Sequence, residues 1–323
     1  MREASSLLIL SSVSSATARK YSGLQRTFKG FCQTLNLIAV PAEEATLVNF
    51  LTYLKLGRNL GPTTIRGYLS AIRHLHVING VPDPLLNRPR LSLVRAAAAT
   101  KGGAISPART PISFETLHAI HAKAILAPSY EATLFTACCF VAFFGFLRVS
   151  EFAAADRPSS KAGLLAEHVS FSSQWVQLLL LDTKADREKK GVRVVIAKRA
   201  TNPCAVRWLA AYCRARPTTA EAFPLFVTED GSPMRQSWFR VRLKRMVESL
   251  GLPGVFNTHS LRIGAATEAA AAGFSGHEIQ KLGRWASRAF LTYIRPSAKA
   301  QANLNLRFSL PLTRPDKKTP AKK

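Results

Sequence analysis

The sequence predicts a mainly α chain with one small antiparallel sheet, an α+β protein in two parts. Three observations carry that expectation. Apolar residues recur at helical spacing through most of the chain. β-branched and aromatic residues gather into short runs between Val169 and Ala197. A stretch rich in Gly and Pro at 101–111 separates an all-helical first part from the rest. With 323 residues the chain is long enough for a core in each part.

Taken in order, residues 15–36 place Tyr21, Leu24, Phe28, Phe31, Cys32 and Leu35 on one stripe and Arg19, Lys20, Arg26 and Lys29 off it, which predicts an amphipathic helix with a basic outer face. Pro41 and the acidic pair Glu43-Glu44 open a second helix, with Leu47, Phe50, Leu51 and Leu54 inward and Gly57 near its end. A third starts at Gly61-Pro62, buries Ile65, Leu69, Ile72 and Leu75, and stops at Asn79-Gly80. Beyond Pro82, Pro84 and Pro89, residues 91–99 complete a helical bundle over 1–100. Residues 101–111 read as a linker. Ser113 caps the next helix.

Residues 132–152 are apolar nearly all round and read as one central helix, interrupted only by Arg148 and Glu151 near its end. A guanidinium there costs several kcal/mol unless it is paired or bonded to an anion, so a solvated surface pair is a poor explanation of it. Strands are expected over 169–171, 175–181 and 192–197, the last two flanking a charged hairpin tip. Helices over 203–216 and 235–250 follow, the second carrying Arg235, Arg240, Arg242, Lys244 and Arg245. Such density suits contact with phosphates. Residues 308–323, basic and without an apolar period, read as a disordered tail suited to nuclear import or a further polyanion contact.

Lys and Arg number 45 against 19 Asp and Glu, a net charge of +26 that points to a polyanion, nucleic acid above all. An acidic membrane is the rival, but the cations are spread over both halves, and the longest apolar run is shorter than the roughly 20 residues a bilayer requires. Leu7–Leu10 is too short for a signal-peptide core, and Glu3 interrupts the basic start. The five cysteines show no paired spacing and read as buried free thiols of a reducing compartment. His74/His76 and His118/His121 lack partners at ligand spacing, so no metal and no cofactor is expected.

The stretch 257–293, NTHSLRIGAATEAAAAGFSGHEIQKLGRWASRAFLTY, carries the chemistry. His259 and Arg262, three apart at a helix start, face the same way and are able to meet one anion. The helix should end at Gly273, and a second short one should cover 277–283. A histidine, several arginines and Tyr293 in one place describe a phosphoryl-transfer site with a tyrosine nucleophile.

HSLR, followed by LGRWASRAFLTYIR and preceded by GFLRVSEF, resembles the motifs of the tyrosine recombinases, the phage-integrase family; the GRW spelling is most similar to versions in eukaryotic mobile elements of the DIRS and Crypton kinds. The resemblance implies a helical core-binding domain over 1–100, a catalytic domain over 112–307 and a C-shaped clamp on double-stranded DNA. It implies a site-specific strand-exchange enzyme, dimeric on one site and tetrameric in synapsis, which needs neither metal nor ATP. Its location would be the nucleus in a eukaryote and otherwise the cytoplasm.

Carried over residue by residue, Arg148 and Arg262 bind the scissile phosphate, His259 is the base, Tyr293 the nucleophile, and Glu151 supports the network. Lys184, after Thr183 on the hairpin, matches the general acid, with Arg187, Lys189 and Lys190 as alternatives. The histidine-or-tryptophan position, nine before Tyr293, is Arg284, with Trp285 one later: either Trp285 makes the contact or Arg284 adds a cation. Arg66 and Arg73 of the bundle are further DNA-contact candidates. Related alternatives are a type IB topoisomerase and a domesticated, catalytically idle DNA-binding protein. Against the last, every catalytic position is filled.

Overall fold

The structure is a computed structural model that describes residues 12–100, 107–157, 162–181, 190–217 and 223–295, together with 301, 302 and 306. The chain divides into two compact units, Met1–Ser106 and Pro107–Lys323. In the first, helices α1 (Ser15–Thr34), α2 (Glu44–Thr52), α3 (Pro62–Ile78) and α4 (Pro89–Thr100) pack around Phe28, Leu47, Phe50, Leu54, Ile65, Leu69, Ile72 and Leu91. Ser14 caps α1 through its side chain, and Pro62 opens α3 where a missing N–H costs nothing. After α2 the chain continues as a π-helical turn, Tyr53–Gly57. His76 is a packing residue: its Nε2 accepts from the Ala42 N–H at 2.9 Å while Nδ1 lies 2.8 Å from the Ile72 carbonyl.

The second unit holds α5 (Phe114–Leu126), α6 (Tyr130–Phe144), α7 (Val149–Phe152), a three-stranded sheet, α8 (Ala205–Ala215), α9 (Gln236–Ser249), α10 (His259–Ala271), α11 (Gly276–Gly283) and a 3₁₀ turn, Arg288–Thr292. Strands β1 (Val169–Phe171), β2 (Trp175–Leu180) and β3 (Val192–Ala197) run antiparallel in the order β1-β2-β3, with Val169 opposite Leu178 and Val176 opposite Ile196. Alternation turns Val176, Leu178, Leu180, Val194 and Ile196 into the core. α6 is buried along most of its length, and no described helix is long and apolar enough to cross a membrane. The described cysteines are free thiols; Cys213 is half-buried and the others are buried.

Two expectations are corrected here. The single helix over 132–152 is broken at 145–147: α6 stops at Phe144, Gly145 caps it, Phe146 takes a left-handed φ of 50°, and α7 begins after Arg148. Phe146 and Leu147 stay buried outside any helix, which is why an apolar run gave no sign of the break. Gly145 is required there, since a Cβ would lie 2.8 Å from the Val141 carbonyl oxygen. The end of the expected linker, 107–111, is tied into the second unit: Thr110 N–H donates to the Val255 carbonyl at 2.8 Å, and Ile112 N–H to that of Ser260 at 3.0 Å. The tail over 308–323 lies outside the described residues.

Candidate active site

The break after α6 builds one side of the site. Arg148 is the N-cap of α7, and Glu151 reaches back to it twice, Oε2 accepting from the Arg148 N–H and Oε1 from Nη1, both at 2.8 Å. Glu151 is almost fully buried, whereas the Arg148 side chain is 19% exposed. The buried end-of-helix cation expected from sequence is therefore paired and only partly buried, because the break turns it outward.

Arg284 supplies the carboxylate's second cation, Nη2 donating to Glu151 Oε2 at 3.2 Å. The same guanidinium donates to the Gly145 carbonyl at 3.0 Å and the Phe146 carbonyl at 3.1 Å. Burial is the largest influence on Arg284 and lowers its pKa, with Glu151 opposing.

Arg262, on the first turn of α10, is fully buried. Its Nη1 donates to the Phe146 carbonyl and its Nη2 to that of Gly283. The guanidinium carbon stands 4.3 Å from the Trp285 ring centroid and 6.0 Å from that of Tyr293, and the two rings are 5.1 Å apart. Peptide oxygens and π faces thus take the place of a carboxylate, a workable substitute for a desolvated cation. Burial, with Arg148 beside it, pushes the Arg262 pKa down to about 9, which leaves it charged at neutral pH.

The Arg284/Trp285 alternative acquires a geometry. Trp285 lies against Arg262 and Tyr293 with its Nε1 buried and unpartnered among the described residues, while Arg284 turns the other way, into the pocket of Gly145, Phe146 and Glu151.

His259 opens α10, its N–H donating to Asn257 Oδ1 at 2.9 Å. Burial lowers its pKa, and the nearby cations Arg109, Arg262 and Arg148 lower it further, so the imidazole is neutral at pH 7. Sequence reasoning assigned nothing to Arg109, which it placed in the linker. Arg109 forms a bridge with Val255, and its carbonyl accepts from Arg295 Nη1 at 3.0 Å.

Thr267 is a second residue with no sequence signal: its hydroxyl donates to the Tyr293 carbonyl at 3.1 Å and accepts from the Arg295 N–H at 3.2 Å, fixing the backbone on both sides of the tyrosine. The other phenols near this unit's core are poor nucleophiles. Tyr212 is fully buried, bonded to Val227 N–H and the Leu225 carbonyl, and burial drives its pKa far up; Tyr130 is shifted the same way.

Lys184, with Arg187 and Lys189, lies outside the described residues. The residues expected to touch DNA elsewhere are mostly engaged. Arg73 pairs with Asp83 at 2.8 Å, Arg240 with Asp156 at 3.7 Å, Arg242 with Glu131 at 2.5 Å and Lys244 with Glu248 at 3.7 Å. Arg66 donates to Thr63, and Arg235 to the carbonyls of Ala155 and Asp156. Arg245 has no such partner among the described residues. The basic face of α9 is thus less free than its composition suggested, although exposed pairs are worth only about 0–1 kcal/mol and yield readily to a phosphate.

This cluster gathers Arg148, Glu151, Arg262, Arg284, Trp285 and Tyr293, with His259 nearby. Residues 147–298 match the phage integrase family. The matched residues include Arg148, His259, Arg262 and Tyr293 and leave out Arg109 and the break at 145–146. The fold matches tyrosine recombinase structures bound to DNA. The Tn1549 transposon integrase in complex with transposon right end DNA superposes with a TM-score of 0.65 at 14% identity, over 93% of this chain and 95% of that one. XerH site-specific recombinase bound to difH gives 0.61 at 14%, over 91% and 78%. A lambda integrase dimer on a core site gives 0.59 at 14%, over 89% and 91%. At such identities the likeness is one of fold. No curated protein matches the chain.

Proposed function

We propose that the protein is a site-specific DNA recombinase that cuts and rejoins DNA through a 3′-phosphotyrosyl intermediate, in the integration or excision of a mobile element. The observation that carries this reading is the convergence of Arg262, Trp285 and Tyr293, with Arg148 and a neutral His259 in the same electrostatic neighbourhood. Tyr293 Oη attacks the phosphorus of one strand and passes its proton to His259. Arg148 and Arg262 stabilise charge on the non-bridging oxygens, which is strongest where water is excluded. The 5′ oxygen leaves with a proton from Lys184. The phosphotyrosyl bond conserves the energy of the broken diester, so a second 5′-hydroxyl reverses the step. Trp285 packs against the nucleophile, and Glu151 holds Arg148.

The Tn1549 transposon integrase structure is a complex with transposon end DNA, and we infer double-stranded DNA as the partner here, which a charge of +26 suits. The 1–100 bundle is a further DNA-binding domain, and assembly is dimeric on one site and tetrameric at synapsis. The GRW spelling favours a eukaryotic element and a nuclear location. The test is covalent capture: wild-type protein mixed with labelled target DNA leaves an adduct on a denaturing gel, and Tyr293→Phe binds the DNA but leaves none. An adduct that survives Tyr293→Phe overturns the reading.

A further inference from the structure

Glu151 has two oxygens and three donors. Oε1 takes Arg148 Nη1; Oε2 takes both the Arg148 N–H and Arg284 Nη2. Arg148 therefore makes a single side-chain hydrogen bond among the described residues, at one nitrogen, although a guanidinium facing a carboxylate ordinarily engages it with two. The other oxygen, Oε2, is occupied by the Arg148 N–H and by the Arg284 cation. A carboxylate whose side chain is only 2% exposed, with one arginine instead of two, would draw Arg148 down onto both its oxygens and away from the open side of the site.

Arg284 is itself held with unusual redundancy. Its side chain donates to the carbonyls of Gly145, Phe146 and Leu282 as well as to Glu151. Its own backbone is the left-handed residue (φ 55°) that ends α11, and the preceding carbonyl, of Gly283, receives Arg262. It stands nine residues before Tyr293, on the segment that delivers the tyrosine.

We propose that Arg284 is a positioning residue that couples the tyrosine-bearing segment to Arg148 by way of their shared carboxylate. When the segment from α11 to Tyr293 is seated, Arg284 occupies Glu151 Oε2, and Arg148 is left with its remaining donors turned toward a phosphate. When that segment is displaced, Arg148 collapses onto Glu151. Nucleophile and phosphate-binding cation are thereby readied together. This rests on the reading of Arg148 and Tyr293 given above.

The test compares two substrates, an ordinary phosphodiester and one in which a methyl group replaces a non-bridging oxygen at the scissile position and removes its charge. Arg148→Ala is expected to form the Tyr293 adduct about a hundredfold to a thousandfold more slowly on the phosphodiester, as for loss of one oxyanion donor, and to recover most of that on the neutral substrate. Arg284→Asn, chosen because asparagine tolerates the left-handed backbone, is expected to be about tenfold to a hundredfold slower, the usual cost of a misplaced group, and to recover on the neutral substrate in the same way. The double variant should be no slower than Arg148→Ala alone.

A merely structural loss would slow both substrates equally. That result, or a double variant slowed by the product of the two single effects, overturns the coupling. If Arg284→Asn does not fold, Arg284→Gln carries the same comparison, since a neutral amide cannot replace the guanidinium as the carboxylate's second cation. Should the wild type form no Tyr293-dependent adduct on the phosphodiester, the recombinase reading fails and this coupling with it. If the wild type reacts and Arg284 variants are not rescued, only the coupling fails.

Discussion

Gly283→Ala tests the seating of the tryptophan. A Cβ at position 283 would lie 1.6 Å from Trp285 Cζ3 and 2.1 Å from Cε3, whereas ordinary contact begins near 3.4 Å. The indole must therefore move by about 2 Å, more than the 4.3 Å stack on Arg262 can absorb. Overpacking costs about 1–3 kcal/mol, and a desolvated cation–π contact is worth about 2 kcal/mol, so ~3–5 kcal/mol of stability is at stake. For a unit of this size that lowers Tm by roughly 10 °C. Adduct formation should fall about a hundredfold, the usual consequence of an ångström-scale displacement near the reacting groups.

Calorimetry or circular dichroism reads the first quantity, and timed denaturing gels the second. Gly30→Ala is the matched control: it lies inside α1 with open space around its missing Cβ, and it should raise stability by about 0.5–1 kcal/mol. If Gly283→Ala proves as harmless as Gly30→Ala, the indole does not occupy the seat described.

Four other outcomes are expected. His259 binds a proton less readily in the folded protein than in the unfolded chain, whose histidines titrate near about pH 6.5; its contribution to stability is complete above that pH and is lost as pH falls through the lower folded value. Cleavage rate should fall over the same acid range, and Arg109→Gln, which removes one of the cations lowering His259, should move that limb upward; an unmoved limb would show that Arg109 is not close. Tyr212→Phe strands the Val227 N–H and should cost about 1–3 kcal/mol in urea titrations while leaving the adduct intact. Arg245→Ala should reduce the slope of log affinity against log salt by about one, and Lys244→Ala by less, because Lys244 is already paired with Glu248.

Most of the fold was legible because its elements are locally determined. Alternation at Val176, Leu178 and Leu180 fixed the strand, Gly61-Pro62 fixed a helix start, and Gly273, at a φ of 85°, fixed a helix end. The cluster was half legible. His259 and Arg262 announced themselves by their three-residue spacing, Arg148 by its cost in an apolar run, and Tyr293 by the resemblance of its stretch to the recombinase motif. What the letters did not disclose depends on backbone direction: the break at 145–147, the turning of Arg284 away from Trp285, and the hydroxyl of Thr267 on the Tyr293 carbonyl. Charge density on α9 misled in another way, since acids far off in sequence, Glu131 and Asp156, fold back onto it.

The carbonyl of Phe146 receives both Arg262 and Arg284. An acceptor made of main chain cannot be deleted by any single codon change; every amino acid brings the same oxygen. What inheritance can alter is only the direction in which it points, since a left-handed backbone at that position is tolerated by few side chains and refused by β-branched ones. A saturation library at 146 should therefore sort its survivors by conformational preference, modified by how well each fills the buried space beside Trp285.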